Sequence, residues 1–367
     1  MIPAIVAIGT ANPVYMRYQK DAAELVSAGL HLKKAHHRLL KSVYQATGIT
    51  KRHSVLSDYC KAPGEFTFFP NDENASFPTT AQRMALFKET ALPLALKAIE
   101  NLSAENLALD LQTITHLITV SCTGLYAPGI DIEIIQTLNL PTTIKRTTIN
   151  FMGCYGAFNA LRVAEAICTA NTKANVLIVN VELCTIHFQN STTLDNMISN
   201  AIFADGASAT WVKAIDAQAR GLTLKNFYCD LLPQTAQAMA WEVGNHGFDI
   251  VLSSYVPDII EKDIRSFLLK AIHAADLSLT QLDYFAIHPG GLKILEAVEK
   301  ALSLTKQQNQ HAYDVLQDFG NMSSVTIFFV LQRFLKSLDD TARDKHIFAC
   351  AFGPGLTLES LVLQTQV

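Results

Sequence analysis

Residues 150–170 have the sequence NFMGCYGAFNALRVAEAICTA, and this stretch decides the fold. From Cys154 onward it contains only two charged residues, Arg162 and Glu165, so a helix formed here is apolar on nearly all sides. A helix of that kind has no face for water and is buried at the centre of a protein. Gly153, just before the cysteine, permits a tight turn into the helix.

A second stretch of the same character lies near the end of the sequence. Residues 322–335, MSSVTIFFVLQRFL, contain a single arginine, which predicts a second central helix. Apolar strands at 117–120 and 284–287 precede the two helices, and an offset of 167 relates these strands and also the glycines Gly153 and Gly320. Another strand follows each helix, at an offset of 170. The sequence therefore predicts an α/β protein made of two pseudo-repeated halves.

The composition disfavours several classes of protein. With 367 residues the chain is long enough for two to three domains or for one large α/β unit. Hydrophobic residues make up 49% and charged residues 17%, which indicates a large core and a subunit interface. A net charge of -4 provides no broad positive field, so neither nucleic acid nor an anionic membrane is an expected partner.

The cysteines and the first residues indicate a compartment. Seven cysteines occur without a CxxC pair, which predicts reduced thiols and neither a disulfide framework nor a metal site. The opening MIPAIVAIGTANP lacks a basic region and predicts a first β-strand, with no signal peptide. No run approaches the ~20 apolar residues of a membrane span, so we expect a cytoplasmic protein without a transmembrane segment.

Cys154 is the best candidate for a nucleophile in this sequence. The first turn of a helix presents unpaired N–H groups and a partial positive charge, which favour a thiolate over a thiol. The alternative is that Cys154 is a small buried core residue, as most single cysteines are. The neighbouring candidates decide between these interpretations.

Two further residues complete a catalytic set with Cys154. His288 ends an apolar strand and precedes Pro-Gly-Gly, a place where a lone histidine is more often structural. Asn321 follows Gly320 at the start of the second central helix, where a helix N-cap is its common use. With the offset of 167, Asn321 corresponds to Cys154. Together the three supply a nucleophile, an imidazole that pairs with it and an amide donor for an oxyanion.

A Gly-Pro-Gly run and a basic stripe each have a structural and a functional interpretation. The run Gly353, Pro354 and Gly355 interrupts a strand, either as a simple turn or as a loop whose backbone approaches a substrate closely. A basic stripe is either a solvated helix face or a contact for a phosphate-rich ligand such as coenzyme A. The stripe consists of Lys34, His37 or Arg38, and Lys41.

The sequence resembles the chalcone and stilbene synthase family, the type III polyketide synthases, over essentially its whole length. The matching motifs are INFMGCYGAFNALRVAEA around Cys154, NAIFADGASA from Asn200, WEVG from Trp241, FAIHPGG around His288, DFGNMSSVT around Asn321 and FGPGLTLE from Phe352. The resemblance implies a thiolase-like αβαβα five-layer fold and an obligate homodimer. It places the nucleophile in a half formed by residues 1–218, and the histidine and asparagine in a half formed by residues 219–367.

The resemblance also implies roles for individual residues. Cys154 would carry the acyl group, and His288 and Asn321 would serve decarboxylation and the oxyanion. Phe203 would be a gatekeeper between the coenzyme A tunnel and the cavity. The residues of the Gly353, Pro354 and Gly355 loop would line the substrate site. If the basic stripe described above is functional and not a solvated face, its residues Lys34 and Lys41 would be the contacts with coenzyme A.

Departures from the plant members of this family concern the cavity. A second gatekeeper aromatic corresponds to Ile250, or to Phe248 if the alignment shifts by two residues. Three Thr-rich cavity positions hold Cys122, Cys184 and His187, and the methionine that the plant dimer contributes is replaced by Ala127. Small residues there resemble bacterial members that use long-chain acyl starters, since less bulk opens a tunnel for an alkyl chain.

The leading hypothesis is iterative decarboxylative condensation of malonyl-CoA with a medium- or long-chain acyl-CoA, closing to a pyrone or a resorcinol. It needs no metal and no tightly bound cofactor. One alternative is a β-ketoacyl carrier-protein synthase III, although HPGG after the strand favours the polyketide branch. Others are a papain-like protease, whose CGSCW-type signature is absent, and a non-catalytic acyl-CoA-binding dimer.

Overall fold

The computed structural model describes residues 1–253 and 255–367, with all their side chains except that of Asp340. The strands are β1 (Ile2–Ala11), β2 (Tyr15–Tyr18), β3 (Lys51–Ser54), β4 (His116–Ser121), β5 (Lys145–Asn150), β6 (Asn175–Leu183), β7 (Asp205–Ile215), β8 (Gly221–Leu231), β9 (Met239–Gly244), β10 (Gly247–Leu252), β11 (Leu282–Ile287), β12 (His346–Gly353) and β13 (Thr357–Gln366). The helices are α1 (Gln19–Gly29), α2 (Lys34–Gln45), α3 (Thr80–Glu105), α4 (Ile130–Thr137), α5 (Gly156–Ala170), α6 (Leu194–Ile202), α7 (Val256–His273), α8 (Leu292–Leu302), α9 (Gln310–Phe319) and α10 (Thr326–Ser337).

One large sheet runs through the described part of the chain, in the strand order β11-β12-β13-β8-β1-β7-β6-β4-β5. β1 pairs with β7 along nine residue pairs, and β13 pairs with β8 along ten. In the middle, β1 and β8 pair through Ala4 with Thr223 and Ile5 with Leu222. This two-pair seam divides the sheet into a five-stranded and a four-stranded part.

Alternate residues of each buried strand face different helix layers, as the period of two requires. In β6, Val176 packs in the same core as the central helices α5 and α10, whereas Leu177 packs in an outer core with α1 to α4. In β12, Ile347 packs against the central helices and Phe348 against an outer core with α7, α8 and α9. Three helical layers thus alternate with the two parts of the sheet, which gives the predicted αβαβα order.

The predicted strands and central helices are present, but the predicted offset is wrong for the turns that open the helices. The 3-10 turns before α5 and α10, Gly153–Tyr155 and Ser323–Val325, lie 170 residues apart rather than 167. Ser324 is therefore the counterpart of Cys154, and Asn321 lies three residues before that position. The reason is a longer loop in the second half, with left-handed backbone at Gly320 (φ 73°) and Ser323 (φ 49°).

Two other expectations concern the chain as a whole. The division between residues 218 and 219 stays a prediction. Among the helices that the structure describes, none combines the length and the apolar character that crossing a lipid bilayer requires.

Candidate active site

A cavity at the boundary of the two halves collects most of the predicted site residues. The cavity has a volume of about 50 Å³. Residues of the first half and of the second half face each other across it. The lining includes Cys122, Thr123, Cys154, Cys184, Phe203, Trp241, Ile250, His288, Gly290, Ile294, Asn321, Ser323, Phe352 and Pro354.

Cys154 lies on the turn that joins β5 to α5, and two contacts hold that turn. Gly153 has φ of 78°, a conformation that favours glycine, and a Cβ built there would collide with Cδ of Pro354. The Gly153 N–H donates to Sγ of Cys122 over 3.0 Å. The loop of Gly353, Pro354 and Gly355 links β12 to β13 as a turn, and its proline seats the nucleophile.

Burial disfavours the thiolate form of Cys154. It raises the pKa of Cys154 to about 12, and the hydroxyl of Ser323 and the amide of Asn321 offset this only in part. The thiolate predicted from the helix N-terminus therefore stays a prediction, and it needs a partner that offsets the cost of desolvation. A base must remove the proton before Cys154 can attack.

His288 has the properties of that base. It follows β11 directly, with its backbone N–H donating to the carbonyl of Cys350 over 2.8 Å. Its side chain is 1% exposed, and neither ring nitrogen has a hydrogen-bond partner within the described residues. Burial disfavours the charged ring and lowers the pKa of His288, so the free imidazole is neutral at physiological pH. Its unpaired nitrogens can accept a proton, and a thiolate at Cys154 would stabilise the imidazolium that burial alone disfavours.

Asn321 closes a turn before the second central helix and also faces the cavity. Its Oδ1 accepts from the N–H of Ser323 over 2.8 Å, which forms an Asx turn. The predicted N-cap role is wrong, because Met322 occupies the cap position of the 3-10 turn. Nδ2 of Asn321 donates to the carbonyl of Gly290 over 3.1 Å, which leaves the second N–H of the amide for a ligand.

The gate positions are occupied as follows. Phe203 and Ile250 both line the cavity, and Cys184 lies beside them at the border of a second, smaller pocket. Phe248 does not line the cavity; its ring stacks on His187 with a centroid distance of 4.1 Å. Of the two candidates for the predicted second gatekeeper position, Ile250 is therefore the one that lines the cavity.

His187 anchors the hairpin that carries Ile250. Its Nε2 lies 2.7 Å from the carbonyl of Thr123, and its Nδ1 accepts from the N–H of Phe248 over 3.0 Å. Burial lowers the pKa of His187 to about 3, so the ring is neutral and Nε2 carries the proton. Trp241 adds a bond from Nε1 to the carbonyl of Cys122 over 2.8 Å. Both ring nitrogens of His187 are used, so it positions the β9–β10 hairpin and has no free atom for substrate.

Glu182 is a functional candidate that the sequence reasoning missed. It is fully buried at the end of β6 and accepts from the N–H of Cys122 over 2.9 Å and the hydroxyl of Thr123 over 2.8 Å. The hydroxyl of Ser324 donates to it over 2.5 Å. Burial raises the pKa of Glu182 to about 7. A single carboxylate after the apolar run 176–181 is a signal that could have indicated it.

Ala127 is not brought to the cavity of its own chain. It is exposed and lines another cavity, which has a volume of about 330 Å³. The segment 121–124 is the wall between the two, since Cys122 and Thr123 face the Cys154 cavity, and Ser121 and Gly124 face the other.

Lys34 and Lys41 lie away from the path to Cys154. A third cavity, which shares Ile294 with the Cys154 cavity, opens beside α2 at Val43. The two lysines are about 160° to 180° around the helix from Val43, and Nζ of Lys41 lies 3.5 Å from Glu24. The structure therefore gives no support to the predicted contact of these lysines with coenzyme A at this mouth.

The described residues form no group of three or more His, Cys, Asp or Glu side chains with metal-binding geometry.

Comparison with known proteins matches almost the whole chain. The profile described as "Chalcone and stilbene synthases, N-terminal domain" matches residues 2–216, and the corresponding C-terminal domain matches residues 223–366. The Mycobacterium tuberculosis protein "Alpha-pyrone synthesis polyketide synthase-like Pks18" is 29% identical over 98% of this chain and 91% of its own length. "Type III polyketide synthase A" of Arabidopsis thaliana is 29% identical over 98% of this chain and 92% of its own.

A solved structure agrees over a similar length. The crystal structure of PKS-I from the brown alga Ectocarpus siliculosus superposes with a TM-score of 0.90 at 28% identity, covering 99% of this chain and 98% of that chain. Type III polyketide synthases have the thiolase fold, so the predicted thiolase-like fold is confirmed.

Proposed function

The chain belongs to the chalcone and stilbene synthase family, and from this premise we propose that it extends an acyl-CoA starter with malonyl-CoA on Cys154. As a type III polyketide synthase it is an acyltransferase. The observation that carries the proposal is the meeting of Cys154, His288 and Asn321, from both halves of the chain, in one cavity.

Loading of the starter uses Cys154 and His288. The neutral imidazole takes the proton from Sγ, and the resulting thiolate attacks the carbonyl carbon of the acyl-CoA. The tetrahedral intermediate collapses, its carbon–sulfur bond to coenzyme A breaks, and the leaving thiolate takes the proton from the imidazolium. The acyl group is then a thioester on Cys154, and His288 is neutral again.

Extension uses His288 and Asn321. Both donate hydrogen bonds to the thioester oxygen of malonyl-CoA while its carbon–carbon bond to the carboxylate breaks and carbon dioxide leaves. The electron pair of that bond forms an enolate whose oxyanion the two donors stabilise. The enolate carbon attacks the acyl carbonyl, and the thiolate of Cys154 departs. Reloading the extended chain on Cys154 permits further rounds, and the poly-β-keto product closes to a pyrone or a resorcinol.

We further propose a medium- or long-chain fatty acyl starter. Ile250 is an aliphatic residue at the gate, and Cys184 is a small one at the border of the cavity. The Cys154 cavity itself is too narrow for a long chain, but the cavity that Ala127 lines adjoins it across the segment 121–124. Burial of each methylene stabilises a bound chain by roughly 0.8 kcal/mol, so an opening between the two would favour long starters by several kcal/mol.

A homodimer is part of the proposal. The residues of β5, Lys145 to Asn150, lie at the edge of the large sheet and are mostly exposed. Ala127 and Pro128 are exposed nearby, beside the wall of the active site. A partner that covers this edge would close the cavity lined by Ala127. The cytoplasmic location stays a prediction.

Mass spectrometry of products tests the function and the starter together. The protein is incubated with malonyl-CoA and with straight-chain acyl-CoAs of six to twenty carbons, and kcat/KM is compared across chain length. We expect pyrone or resorcinol products, with long chains favoured. Cys184→Phe and Ala127→Phe should suppress products from chains of twelve carbons or more and spare the short ones, while Cys184→Ser and Ala127→Ser retain the wild-type profile.

Two results would count against parts of this proposal. A wild type that prefers short or aromatic starters, or a uniform loss across chain lengths in folded Ala127→Phe dimer, contradicts the long-chain starter only. A single condensation that requires an acyl carrier protein would favour a β-ketoacyl carrier-protein synthase III. Binding of acyl-CoA without any turnover would favour the non-catalytic dimer.

A further inference from the structure

The guanidinium of Arg52 is buried beside the gate without an ion pair. Its side chain is 1% exposed, and no carboxylate of the described residues lies within 4 Å of it. A buried charge is costly unless hydrogen bonds satisfy it. Nε donates to Oε1 of Gln19 over 2.9 Å, and Nη1 donates to the carbonyls of Asn200 over 2.9 Å and Phe203 over 2.5 Å. Nη1 thus bonds the backbone at the end of α6, whereas Nη2 is buried without a hydrogen-bond partner among the described residues.

That backbone is paired with Asn321. The N–H of Asn321 donates to the carbonyl of Ile202 over 2.8 Å, and the N–H of Ala204 donates to the carbonyl of Asn321 over 2.9 Å. Phe203 and Asn321 thus form an isolated parallel bridge outside the sheet. Any shift of the Phe203 backbone moves the amide of Asn321 with it.

Arg52 also touches the other side of this bridge. A Cβ built on Gly320 would lie 3.1 Å from Cδ of Arg52 and 2.9 Å from the carbonyl of Ile202. The aliphatic part of Arg52 therefore packs against the backbone that leads into Asn321. Gly320 has φ of 73°, a conformation that residues with a side chain rarely adopt.

Gln19 connects Arg52 to the mouth of the cavity. Its Nε2 donates to the carbonyl of Ala201 over 2.7 Å and to the hydroxyl of Thr47 over 3.1 Å. Thr47 lines the cavity that opens beside α2. A continuous set of hydrogen bonds thus extends from the mouth through Arg52 to the Phe203–Asn321 bridge.

The nucleophile and the base are held by other contacts. The turn of Cys154 rests on Cys122 and Pro354, and the backbone N–H of His288 bonds to Cys350. None of these bonds involves Arg52. Asn321 offsets the raised pKa of Cys154 only in part. A change at Arg52 should therefore act mainly on decarboxylation, which needs Asn321, and only weakly on acylation, which needs Cys154 and His288.

We infer that Arg52 is a positioning residue that holds Asn321 in place for decarboxylation through the carbonyl of Phe203. The inference rests on the proposed function. Misplacement of a stabilising group by about 1 Å can cost about 10²-fold in rate, which sets the expected effect on decarboxylation.

The test compares Arg52→Lys with a matched buried arginine. Arg83 is also fully buried and donates to three backbone carbonyls, those of Pro78, Ile186 and Phe188, but it lies away from Asn321. Both lysine variants keep the charge and lose the planar fork. The measurements are thermal unfolding, single-turnover acylation of Cys154 by hexanoyl-CoA on intact-protein mass spectrometry, and release of labelled carbon dioxide from malonyl-CoA.

We expect Arg52→Lys to slow carbon dioxide release about 10²-fold while acylation stays within about twofold of wild type. Arg83→Lys should lower the unfolding temperature and change both rates equally or neither. If Arg52→Lys does not fold, Gln19→Leu takes its place, because it removes the anchor of Nε and leaves the guanidinium; the same split is expected at about tenfold.

Three outcomes decide the matter. A split in the Arg52 or Gln19 variant, absent from Arg83→Lys, supports the inference. Equal changes in both steps overturn it and leave the proposed function intact. A wild type that is neither acylated nor releases carbon dioxide overturns the proposed function, and the inference falls with it.

Discussion

The turn before α5 and the turn before α10 have a similar backbone conformation but place different side chains near the cavity. Each is a 3-10 turn that runs directly into a buried helix, and each begins with a left-handed residue, Gly153 or Ser323. At the second position the first turn presents Cys154 to the cavity. The second turn has Ser324 there, which bonds to Glu182, and the cavity receives Asn321 instead.

In both halves a polar group therefore reaches the cavity from the start of a central helix. The halves differ in which residue supplies that group. The first turn is held by neighbours in direct contact with it, Cys122 and Pro354. The second turn is held through its longer loop, by the backbone around Phe203. We therefore expect the nucleophile to tolerate changes outside its turn, and the amide to depend on residues further away.

The largest expected effect separates the two turns completely. Cys154→Ala should abolish the acyl adduct while the protein stays folded. The two other thiols of the cavity are poor replacements, because burial raises the pKa of Cys122 and of Cys184 well above the usual value and Sγ of Cys122 is hydrogen-bonded to Gly153. Cys168→Ala, buried on α5 and outside the cavity, is the control and should be acylated normally. Intact-protein mass spectrometry after incubation with acyl-CoA measures both. An adduct on the Cys154→Ala protein would show that the two turns have been assigned the wrong chemistry.

The next effect divides the two uses of Asn321. Asn321→Ala and Asn321→Asp both remove the N–H donor, so each should slow decarboxylation about 10²-fold or more. The aspartate keeps the oxygen that accepts the N–H of Ser323, so only the alanine variant should lose about 1 kcal/mol of stability from that hydrogen bond. Single-turnover acylation of Cys154 should stay near wild type in both. Condensation at the wild-type rate in either variant would leave Asn321 with a structural role only.

Glu182 lies between the two turns and gives a pH-dependent effect. Its pKa is raised to about 7 from 4.5, so the native state keeps a proton that the unfolded state loses, and stability falls as pH rises through this window. The shift corresponds to roughly 3 kcal/mol in all. Denaturant midpoints measured across that pH range should fall in the wild type by more than in Glu182→Gln. Equal slopes would mean that Glu182 is ionised in the native state.

The smallest effect concerns the residue that follows the second turn. The hydroxyl of Thr326 accepts from the N–H of Met322 over 2.8 Å and donates to the carbonyl of Ser323 over 2.9 Å. Gly156 holds the equivalent position in the first half, without a side chain. Thr326→Val should cost about 1 to 2 kcal/mol in the free energy of unfolding, since the N–H of Met322 loses its partner. Acylation of Cys154 should not change, and a loss there would blur the distinction between the two turns.

Sequence patterns predicted the elements because burial controls them. The apolar strings 117–120 and 284–287 and the two helices without a polar face can form only inner strands and central helices, and they do. The offset of 167 was wrong at the turns that open the helices, because the spacing of apolar residues does not indicate where a residue has positive φ, as Ser323 does. The length of a loop and the sign of φ within it depend on tertiary contacts that form only in the folded protein.

The candidate site was predictable where one residue type suffices, as for Cys154, His288 and Asn321, all of which line the cavity. The protonation state of Cys154 was not, because desolvation depends on everything packed around the sulfur. The role of Arg52 could not be predicted from the sequence, because it donates to backbone carbonyls and every residue has one. Family membership now makes the three cavity residues a proposal with a test for each.

The seam between β1 and β8 has few pairing contacts. Two residue pairs join the strands there, compared with nine pairs between β1 and β7 and ten between β13 and β8, so we expect the sheet to deform most easily along the seam. Cys154 lies on one side and His288 on the other, so a slip along it would be felt as a change in the distance from sulfur to imidazole. Across the seam, α5 lies against the turn before α10, where a Cβ built on Gly156 would be in ordinary van der Waals contact with Cβ of Ser324, at 3.6 Å. The distance between the catalytic sulfur and the imidazole therefore depends on the packing of α5 against that turn as well as on the hydrogen bonds of the seam.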